Sequence, residues 1–192
     1  MKSFLLASGN AHKAEEFKEL FHGTLAVTPA PRTLEVDETG KTFTENAFLK
    51  AQAYFETYKV PSLADDSGLV VEAMPDILGV QSARFAPELK EYKDKNEKLL
   101  GLLSTEANRK AYFVCVLCFY VSSEEYYFFE GRVHGSIGTQ RKGTDGFGYD
   151  PIFVPDRSEN DGKSLAELPE WKNSHSHRAK AVQAALGFFT RS

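Results

Sequence analysis

The sequence predicts one domain with a mixed α/β fold, in which helices pack around a sheet. An apolar segment near the N-terminus leads through a glycine into a helical pattern, and a long apolar run at residues 111–121 is followed by a second strand-like segment. Residues 1–192 show no internal repeat, low-complexity tract or domain linker, and this length allows a substantial core. We therefore expect a single domain built around a sheet.

The first element is predicted to be a buried strand over residues 3–8, which the pair Gly9-Asn10 terminates. Asn10 is a suitable N-cap for the next helix, because its side chain can accept a hydrogen bond from a backbone N–H of the first turn. The apolar residues of this helix recur at helical spacing and are Phe17, Leu20 and Phe21. The chain therefore begins with a strand, a loop and a helix.

The second helix is predicted after a proline-rich connection that contains Pro29 and Pro31. Thr42 and Glu45 have the spacing of a capping box, which marks a helix N-terminus. The helix should end before Pro61, since proline interrupts a helix. An apolar stripe runs along one helix face and consists of Ala47, Phe48, Ala51, Tyr54, Phe55 and Tyr58.

The middle of the chain is predicted to contain two short extended segments, residues 62–64 and 69–71. The polar residues 65–68 between them indicate a turn. Residues 91–103 carry leucines at helical spacing and predict a third helix.

Residues 111–121 are apolar in both alternations, as expected for a central strand, and residues 126–137 predict its hairpin partner. A loop lining a site is predicted from five glycines, namely Gly135, Gly138, Gly143, Gly146 and Gly148. Ser174 or Ser176 then caps a last helix, whose inward residues are Val182, Ala185, Leu186 and Phe189.

Composition and charge argue against several functional classes. The formal net charge is −4 and the sequence pI is about 5.8, whereas binding to a nucleic-acid backbone requires clustered Lys and Arg. The apolar part of the N-terminus is shorter than that of a signal peptide, and the longest apolar run is too short to cross a bilayer. We expect a cytoplasmic protein that binds neither nucleic acid nor membranes.

Cys115 and Cys118 have a C-x-x-C spacing, which elsewhere serves redox or metal chemistry. They lie within the run that predicts a strand, where residues three apart point to opposite faces. Such a pair does not close a disulfide easily, and no second cysteine pair completes a zinc site. We expect two buried core thiols.

Two segments in the first half of the chain carry groups suited to phosphate and cation binding. Residues 8–13, Ser-Gly-Asn-Ala-His-Lys, place backbone N–H groups and Lys13 at a predicted helix N-terminus, where anions bind. Asp65 and Asp66, together with Glu38, are enough carboxylates for a magnesium ion or for proton transfer. Taken singly, the first segment is also typical of an ordinary strand-to-helix turn, and the aspartate pair of a surface turn.

Two segments in the second half are suited to a flat polar ligand. Gly146 and Gly148 let the main chain approach such a ligand while the Phe147 ring offers a stacking surface, although a ring that fills the core is an alternative. Lys172 and residues 176–178, Ser-His-Arg, bring hydrogen-bond donors to the start of the last helix.

In combination and in this order, these segments resemble the inosine triphosphate pyrophosphatase family, which hydrolyses non-canonical purine nucleoside triphosphates. The likeness covers nearly the whole chain through SGNAHK, ETGKTFTENAFLKA, ADDSGL, SARFA, GFGYDPIF, AEL and SHRA. It implies an elongated, twisted mixed β-sheet with flanking helices, two lobes around a central cleft, and a homodimer. The chain departs from the family at Leu78-Gly79, where Pro-Gly is usual, and at His175, an additional histidine.

The resemblance also implies roles for individual residues. Glu38 and Asp66 match the acids that hold Mg²⁺, with Asp65 as a further candidate, and Asp66 matches the general base. The implied triphosphate site consists of Ser8, Gly9, Asn10, Ala11, His12, Lys13 and Lys50, with Ser67 touching the substrate and Arg84 as a further phosphate contact. The implied base and sugar pocket consists of Phe147, Gly148, Tyr149, Asp150, Lys172, His177 and Arg178.

The implied reaction converts inosine, deoxyinosine or xanthosine triphosphate to the monophosphate and pyrophosphate. Water activated by Asp66 attacks the α-phosphorus, and Lys13 stabilises the leaving pyrophosphate. Arg178 and His177 donate to the 6-oxo group, which the amino group of adenine cannot replace as an acceptor. Two alternatives stay open: a related pyrophosphatase acting on other modified or pyrimidine nucleotides, and a non-catalytic purine-nucleotide binder.

Overall fold

The structure is a computed structural model that describes residues 3–159 and 161–190. The strands are β1 (Ser3–Leu6), β2 (Ala26–Pro29), β3 (Ser62–Val71), β4 (Lys110–Ser122), β5 (Glu125–Ile137) and β6 (Phe153–Pro155). The α-helices are α1 (Ala11–Leu20), α2 (Phe43–Tyr58), α3 (Tyr92–Leu102), α4 (Pro169–His175) and α5 (His177–Phe189). The strands form one sheet in the order β2-β1-β3-β4-β5-β6, with parallel and antiparallel pairs. The predicted mixed α/β fold is confirmed.

The first strand and helix form as the sequence predicts. β1 pairs in parallel with β2 and with β3, and α1 begins after Asn10, whose Oδ1 accepts the N–H of Lys13 at 3.2 Å. The proline-rich connection was a partly wrong prediction, because Ala26–Pro29 is the edge strand β2. An edge strand tolerates Pro29 at its end, since one side of the strand needs no hydrogen-bond donor.

The capping box at the start of α2 is confirmed. Thr42 Oγ1 accepts the N–H of Glu45 at 3.1 Å, and the Glu45 carboxylate accepts the N–H of Thr42 at 3.0 Å. Backbone N–H groups of Lys41 and Thr42 lower the pKa of Glu45, so this carboxylate remains charged at the positive end of the helix. The helix ends at Tyr58, before Pro61, as predicted.

The turn predicted at residues 65–68 is absent from the structure, and this prediction was wrong. The ten residues Ser62–Val71 form one continuous strand, β3, which lies between β1 and β4 in the sheet. β3 pairs with β1 at Ser62 and Leu63 and has β4 as its other neighbour, and nearby lysines compensate the charges of Asp65 and Asp66. Polar side chains therefore do not interrupt this strand.

The hairpin prediction is confirmed, since β4 and β5 are neighbours joined by a short turn. The predicted glycine loop begins later than expected, because Gly135 belongs to β5 and pairs with Pro155 of β6. The predicted last helix is α5, which begins directly after Ser176, whereas the preceding helix α4 was not predicted. Ser176 lies between the two helices in an extended conformation. Ser174 lies inside α4 and is therefore not the cap.

The C-terminal helix α5 packs with the residues expected to face inward. Val182, Ala185 and Phe189 are buried and Leu186 is partly buried. In the described part of the chain, no helix combines the length and the apolar character needed to cross a membrane.

The described residues divide into two compact units. The first unit comprises residues 3–67, 115–131 and 177–190, and the second comprises residues 68–114, 132–159 and 161–176. The core of the first unit is rich in phenylalanine and includes Phe4, Phe17, Phe21, Phe119 and Phe189. The core of the second unit includes Leu69, Val71, Leu99, Leu103, Ile152 and Phe153. Each unit thus has its own hydrophobic core.

Both cysteines are free and buried, which confirms the prediction of two core thiols. Burial raises the pKa of Cys115 and of Cys118 to about 12, so both are protonated near neutral pH. Since the thiolate is the reactive form, we expect Ellman's reagent to modify neither cysteine of the native protein at about pH 8 and both in urea. Reaction of the native protein at the rate of a free cysteine would contradict this burial.

Candidate active site

The three acids singled out in the sequence bind two lysines within the first unit. Lys50 Nζ on α2 lies 2.7 Å from Glu38 Oε1 and 2.9 Å from Asp66 Oδ1. Lys13 Nζ on α1 lies 2.8 Å from Asp65 Oδ2. We call Glu38, Asp65, Asp66, Lys13 and Lys50 the acid cluster. The structure thus brings Glu38 and Asp66, which are distant in sequence, to one ammonium group.

Asp65 and Asp66 serve different contacts because they are consecutive residues of β3. Side chains of consecutive strand residues point to opposite faces of a sheet, and the two aspartates accordingly bind lysines from different helices. Ser67, two residues beyond Asp65, donates its hydroxyl to Asp65 Oδ2 at 2.5 Å. Asp65 is therefore bound from two sides on its own face of the strand.

The electrostatic environment separates the two aspartates further. Burial alone would raise the pKa of Asp65, but the charges of Lys13, Lys50 and Arg178 outweigh it and hold that pKa well below its usual range. Burial raises the pKa of Asp66, and the charges of Asp65 and Glu38 add to this effect beyond what Lys50 compensates. Asp65 is a permanently charged anchor, whereas Asp66 is better suited to accept a proton.

The cluster has the donor set of a divalent-cation site. Asp66 Oδ2 is buried and has no hydrogen-bond partner, while its Oδ1 shares Lys50 with Glu38. Two carboxylates with an available oxygen fit magnesium, which completes its coordination with water and phosphate oxygens. Within residues 3–159 and 161–190, no group of three or more His, Cys, Asp or Glu side chains is placed to hold a metal ion. Glu38 and Asp66 are therefore the residues of the acid cluster that could hold a cation.

The predicted phosphate segment lies at the N-terminus of α1. Ser8 Oγ accepts the N–H of Asn10 at 3.2 Å, and the Asn10 side chain caps the helix, so both side chains shape the turn. The remaining residues before Lys13 are exposed: Gly9, Ala11 and His12. A helix N-terminus with an adjacent lysine attracts phosphate oxygens.

His177 and Arg178 are buried at the start of α5 in the first unit. Arg178 Nη1 lies 2.9 Å from Glu16 Oε2 on α1. A Cβ at Gly131 of β5 would lie 2.1 Å from the His177 carbonyl oxygen, so only glycine lets α5 pack this closely on the strand. Sequence reasoning missed Glu16 and Gly131; the one available signal was that Glu16 shares a helix face with Lys13.

In the second unit, Asp150 binds residues of the glycine-rich loop that is predicted to contact the purine base. The Asp150 carboxylate accepts the N–H of Phe147 at 2.9 Å and binds Lys172 Nζ at 2.9 Å. Gly146 has a φ of +77°, and a Cβ there would lie 2.3 Å from Asp150 Oδ2. Lys172 Nζ also lies 4.7 Å from the centroid of the Phe147 ring. Asp150 therefore fixes the loop that carries Phe147.

Tyr149 belongs to the core of the second unit. It is 4% exposed, its hydroxyl donates to the Ser82 carbonyl oxygen at 2.7 Å, and its ring packs perpendicular to Tyr92 at 5.4 Å. The neighbouring Gly148 is held through its backbone, since its carbonyl oxygen accepts a hydrogen bond from Asn96 Nδ2 at 3.1 Å. Ser82 and Asn96 were not anticipated, and only the spacing of Tyr92 and Asn96 on one face of α3 hinted at this contact.

The two departures from the family pattern lie in the second unit. A 3₁₀ turn runs over Gly79–Arg84, and Leu78 directly precedes it. Arg84, at the end of this turn, is exposed. His175 stacks on Trp171 with ring centroids 4.8 Å apart and an interplanar angle of 8°. The additional histidine is thus engaged by a residue of its own helix.

Comparison with known proteins identifies relatives along the whole chain. The model of the Ham1 family matches residues 4–188. A dITP/XTP pyrophosphatase of Aquifex aeolicus (strain VF5) is 47% identical over 191 residues, covering 93% of this chain and 92% of that protein. A dITP/XTP pyrophosphatase of Listeria monocytogenes is 41% identical over 193 residues, covering 95% and 92%.

Solved structures agree with these relatives. The Staphylococcus aureus Ham1 protein has a TM-score of 0.86 and 37% identity, covering 99% of both chains. A Ham1 protein from Coxiella burnetii has a TM-score of 0.88 and 32% identity, covering 100% of both chains. The described fold is therefore similar to that of Ham1 proteins.

Proposed function

The chain belongs to the Ham1 family, and from this premise we propose that it removes pyrophosphate from non-canonical purine nucleoside triphosphates. The proposed substrates are inosine, deoxyinosine and xanthosine triphosphates, and the products are the monophosphate and pyrophosphate. Relatives named dITP/XTP pyrophosphatase support this reaction. The observation that carries the proposal is the acid cluster, in which Asp66, a buried acid with a raised pKa, binds Lys50 while the neighbouring Asp65 binds Lys13. One cytoplasmic domain comprising both units is part of the proposal.

The triphosphate is assigned to the first unit. The proposed contacts are the N-terminus of α1, over residues 8–13, with Lys13, Lys50 and Ser67. Two features support this assignment, namely the exposed first turn of α1 and a lysine whose side chain is 18% exposed although it binds Asp65.

Magnesium is the proposed cofactor, held by Glu38 and Asp66. The buried, unpartnered oxygen of Asp66 supports this choice, and the shared position of Lys50 marks a point that favours positive charge. Asp65 is the weaker candidate ligand, because Lys13 and Ser67 already bind it. When bound, the ion would neutralise charge on the phosphate oxygens.

Hydrolysis is proposed to proceed by attack of water on the α-phosphorus. Asp66 accepts a proton from this water, a task for which its raised pKa suits it. Lys13 and the N-terminus of α1 stabilise the charge that develops on the leaving pyrophosphate. Asp65 orients Lys13 through their 2.8 Å contact.

The purine base is assigned to the Phe147 ring and to donors from Lys172, His177 and Arg178. Phe147 stacks on the base, and the donors meet the 6-oxo group, so the amino group of adenine would leave a donor unpaired. Such a mismatch can discriminate by about 10⁴-fold. Gly148, Tyr149 and Asp150 stay in the proposed site as the residues that shape the loop.

The function is tested by incubating the protein and magnesium with inosine, xanthosine, adenosine and guanosine triphosphates and identifying the products by ³¹P NMR. We expect monophosphate and pyrophosphate from the first two substrates and little turnover of adenosine triphosphate. Orthophosphate and diphosphate as products would show that another bond is cleaved. Binding without turnover would identify a nucleotide-binding protein instead.

A homodimer is also proposed, and an aromatic groove of the first unit is its proposed interface. Residues of β5 alternate, so Tyr127 and Phe129 pack against the core while Tyr126 and Phe128 face the other side. Tyr126 is 44% exposed and Phe128 is 38% exposed. Together with α2 they line an open groove of about 630 Å³, whose members are Thr39, Gly40, Lys41, Thr44, Glu45, Phe48, Leu49, Tyr126 and Phe128.

A second copy of the chain is the proposed occupant, because the groove is lined by aromatic side chains together with charges of both signs. Lys41 and Glu45 both line it, so a two-fold contact can oppose Lys41 of one copy to Glu45 of the other. Exposed aromatic patches of this kind commonly mark protein interfaces.

Introducing lysine at both Tyr126 and Phe128 is expected to convert the dimer to a monomer. The two charges would have to be desolvated in the contact, which opposes association. Light scattering coupled to gel filtration measures the mass, and Leu102→Lys, at an apolar residue that is 46% exposed on α3, is the matched control. A wild-type monomer, or a double variant that remains dimeric, would contradict the proposed interface.

A further inference from the structure

Two buried hydrogen bonds join the loop of Phe147 to strand β3. The Tyr149 hydroxyl donates to the Ser82 carbonyl oxygen at 2.7 Å, and the Leu69 N–H donates to Ser82 Oγ at 3.3 Å. Ser82 is 3% exposed and Leu69 is fully buried. Leu69 follows Asp66 by three residues on the same continuous strand.

Of the two donors to the Ser82 carbonyl oxygen, the Tyr149 hydroxyl forms the shorter hydrogen bond. The other donor to the Ser82 carbonyl, the N–H of Phe85, lies at 3.4 Å, which is long for a backbone hydrogen bond. Burial raises the pKa of the Tyr149 phenol, so the hydroxyl stays a donor throughout the physiological range. Removing this one oxygen therefore loosens the connection without changing any charge.

The loop itself is held at several points. Asn96 binds the Gly148 carbonyl oxygen, Tyr92 packs on the Tyr149 ring, and Asp150 binds the Phe147 N–H. Phe147 and Tyr149 are therefore parts of one closely held loop, and close packing favours joint displacement of its residues.

We propose that Tyr149 and Ser82 are positioning residues, which link the base-binding loop to the strand that carries Asp66 and so couple base identity to hydrolysis. This inference rests on the proposed function. Both side chains are buried, at 4% and 3% exposure, so the proposal assigns them an effect through other residues. A correctly stacked base holds the loop in place, and the two hydrogen bonds then hold β3 at Leu69. Because small misplacements of reacting groups are costly, the coupling acts on kcat more than on KM.

The test compares kcat/KM for inosine and adenosine triphosphates in Tyr149→Phe and Ser82→Ala. We expect the preference for inosine triphosphate to fall about tenfold in each variant, mainly through a lower kcat for that substrate. The double variant should lose no more than the stronger single variant, since both changes break one connection. Ser82→Thr keeps the hydroxyl and should keep the preference.

Tyr127→Phe is the matched control, because it removes a tyrosine hydroxyl that donates to Glu125 at 2.9 Å on the surface of the first unit. An equal loss of activity toward both substrates, with an unchanged ratio, would show that Tyr149 and Ser82 only stabilise the fold. If Tyr149→Phe does not fold, the contrast between Ser82→Ala and Ser82→Thr decides. Failure of the wild type to release pyrophosphate would instead contradict the proposed function.

Discussion

Replacement of Asp66 by asparagine is expected to lower kcat for inosine triphosphate by about 10³-fold, because the amide cannot accept a proton from water. The amide retains the size of the carboxylate, and Glu38 keeps its contact with Lys50. Lys13 and the N-terminus of α1 are untouched, so triphosphate binding should stay measurable. Pyrophosphate release measures the rate, and isothermal titration with inosine triphosphate measures the affinity.

Asp37→Asn is the matched control for this prediction. Asp37 is exposed and adjoins Glu38 in sequence, yet it is not a member of the acid cluster. Its variant should keep kcat within about twofold, as expected for a surface carboxylate. An Asp66→Asn protein with a tenth or more of wild-type activity would mean that another group accepts the proton.

Replacement of Lys172 by methionine is expected to lower the free energy of unfolding by about 3–5 kcal/mol, because it leaves a buried carboxylate without its partner. The Lys172 and Asp150 side chains are 9% and 5% exposed, and their charged atoms are 2.9 Å apart. The loop around Asp150 should also become less ordered. Urea unfolding followed by circular dichroism measures the loss.

Two further variants test whether the loss of stability comes from breaking the buried ion pair of Lys172 and Asp150. Lys98→Met breaks an ion pair with Glu88 whose side chains are 42% and 57% exposed, and it should cost less than about 1 kcal/mol. Lys172→Met combined with Asp150→Asn should recover much of the stability but not the preference for inosine triphosphate. A Lys172→Met loss no larger than that of Lys98→Met would contradict the structural role of the pair.

Local signals in the sequence were sufficient for much of the fold. The capping box of Thr42 and Glu45, the cap at Asn10 and the apolar run of β4 each depend on neighbours in the chain. The errors arose where sheet pairing overrides local preference. Ala26–Pro29 becomes a strand because β1 offers it an edge, and β3 remains extended through two aspartates because lysines from α1 and α2 compensate them.

In the candidate site, too, some features follow from local sequence signals and others depend on contacts between distant parts of the chain. The segments that carry Lys13, Asp66 and Phe147 could be found from residue types and order, and the structure joins Glu38 to Asp66 through Lys50. The contacts of Glu16 with Arg178 and of Ser82 with Tyr149 could not be predicted, because each joins elements far apart in sequence. Residue type does not indicate such contacts, and the helix face that Glu16 shares with Lys13 was only an indirect signal.

Because Asp65 and Asp66 are neighbours on β3, the alignment of this strand decides which lysine each carboxylate faces. Leu5 lies opposite Ser62 and Leu6 opposite Leu63 in the parallel pair of β1 and β3. A slip by one residue would turn every side chain of β3 to the opposite face. If Asp66 took the position of Asp65 and faced Lys13, Ser67 would take the position of Asp66 and leave Lys50 without that carboxylate. Insertion or deletion of a single residue between Leu63 and Asp66 should therefore be far less tolerated than substitutions there, even when the chain still folds.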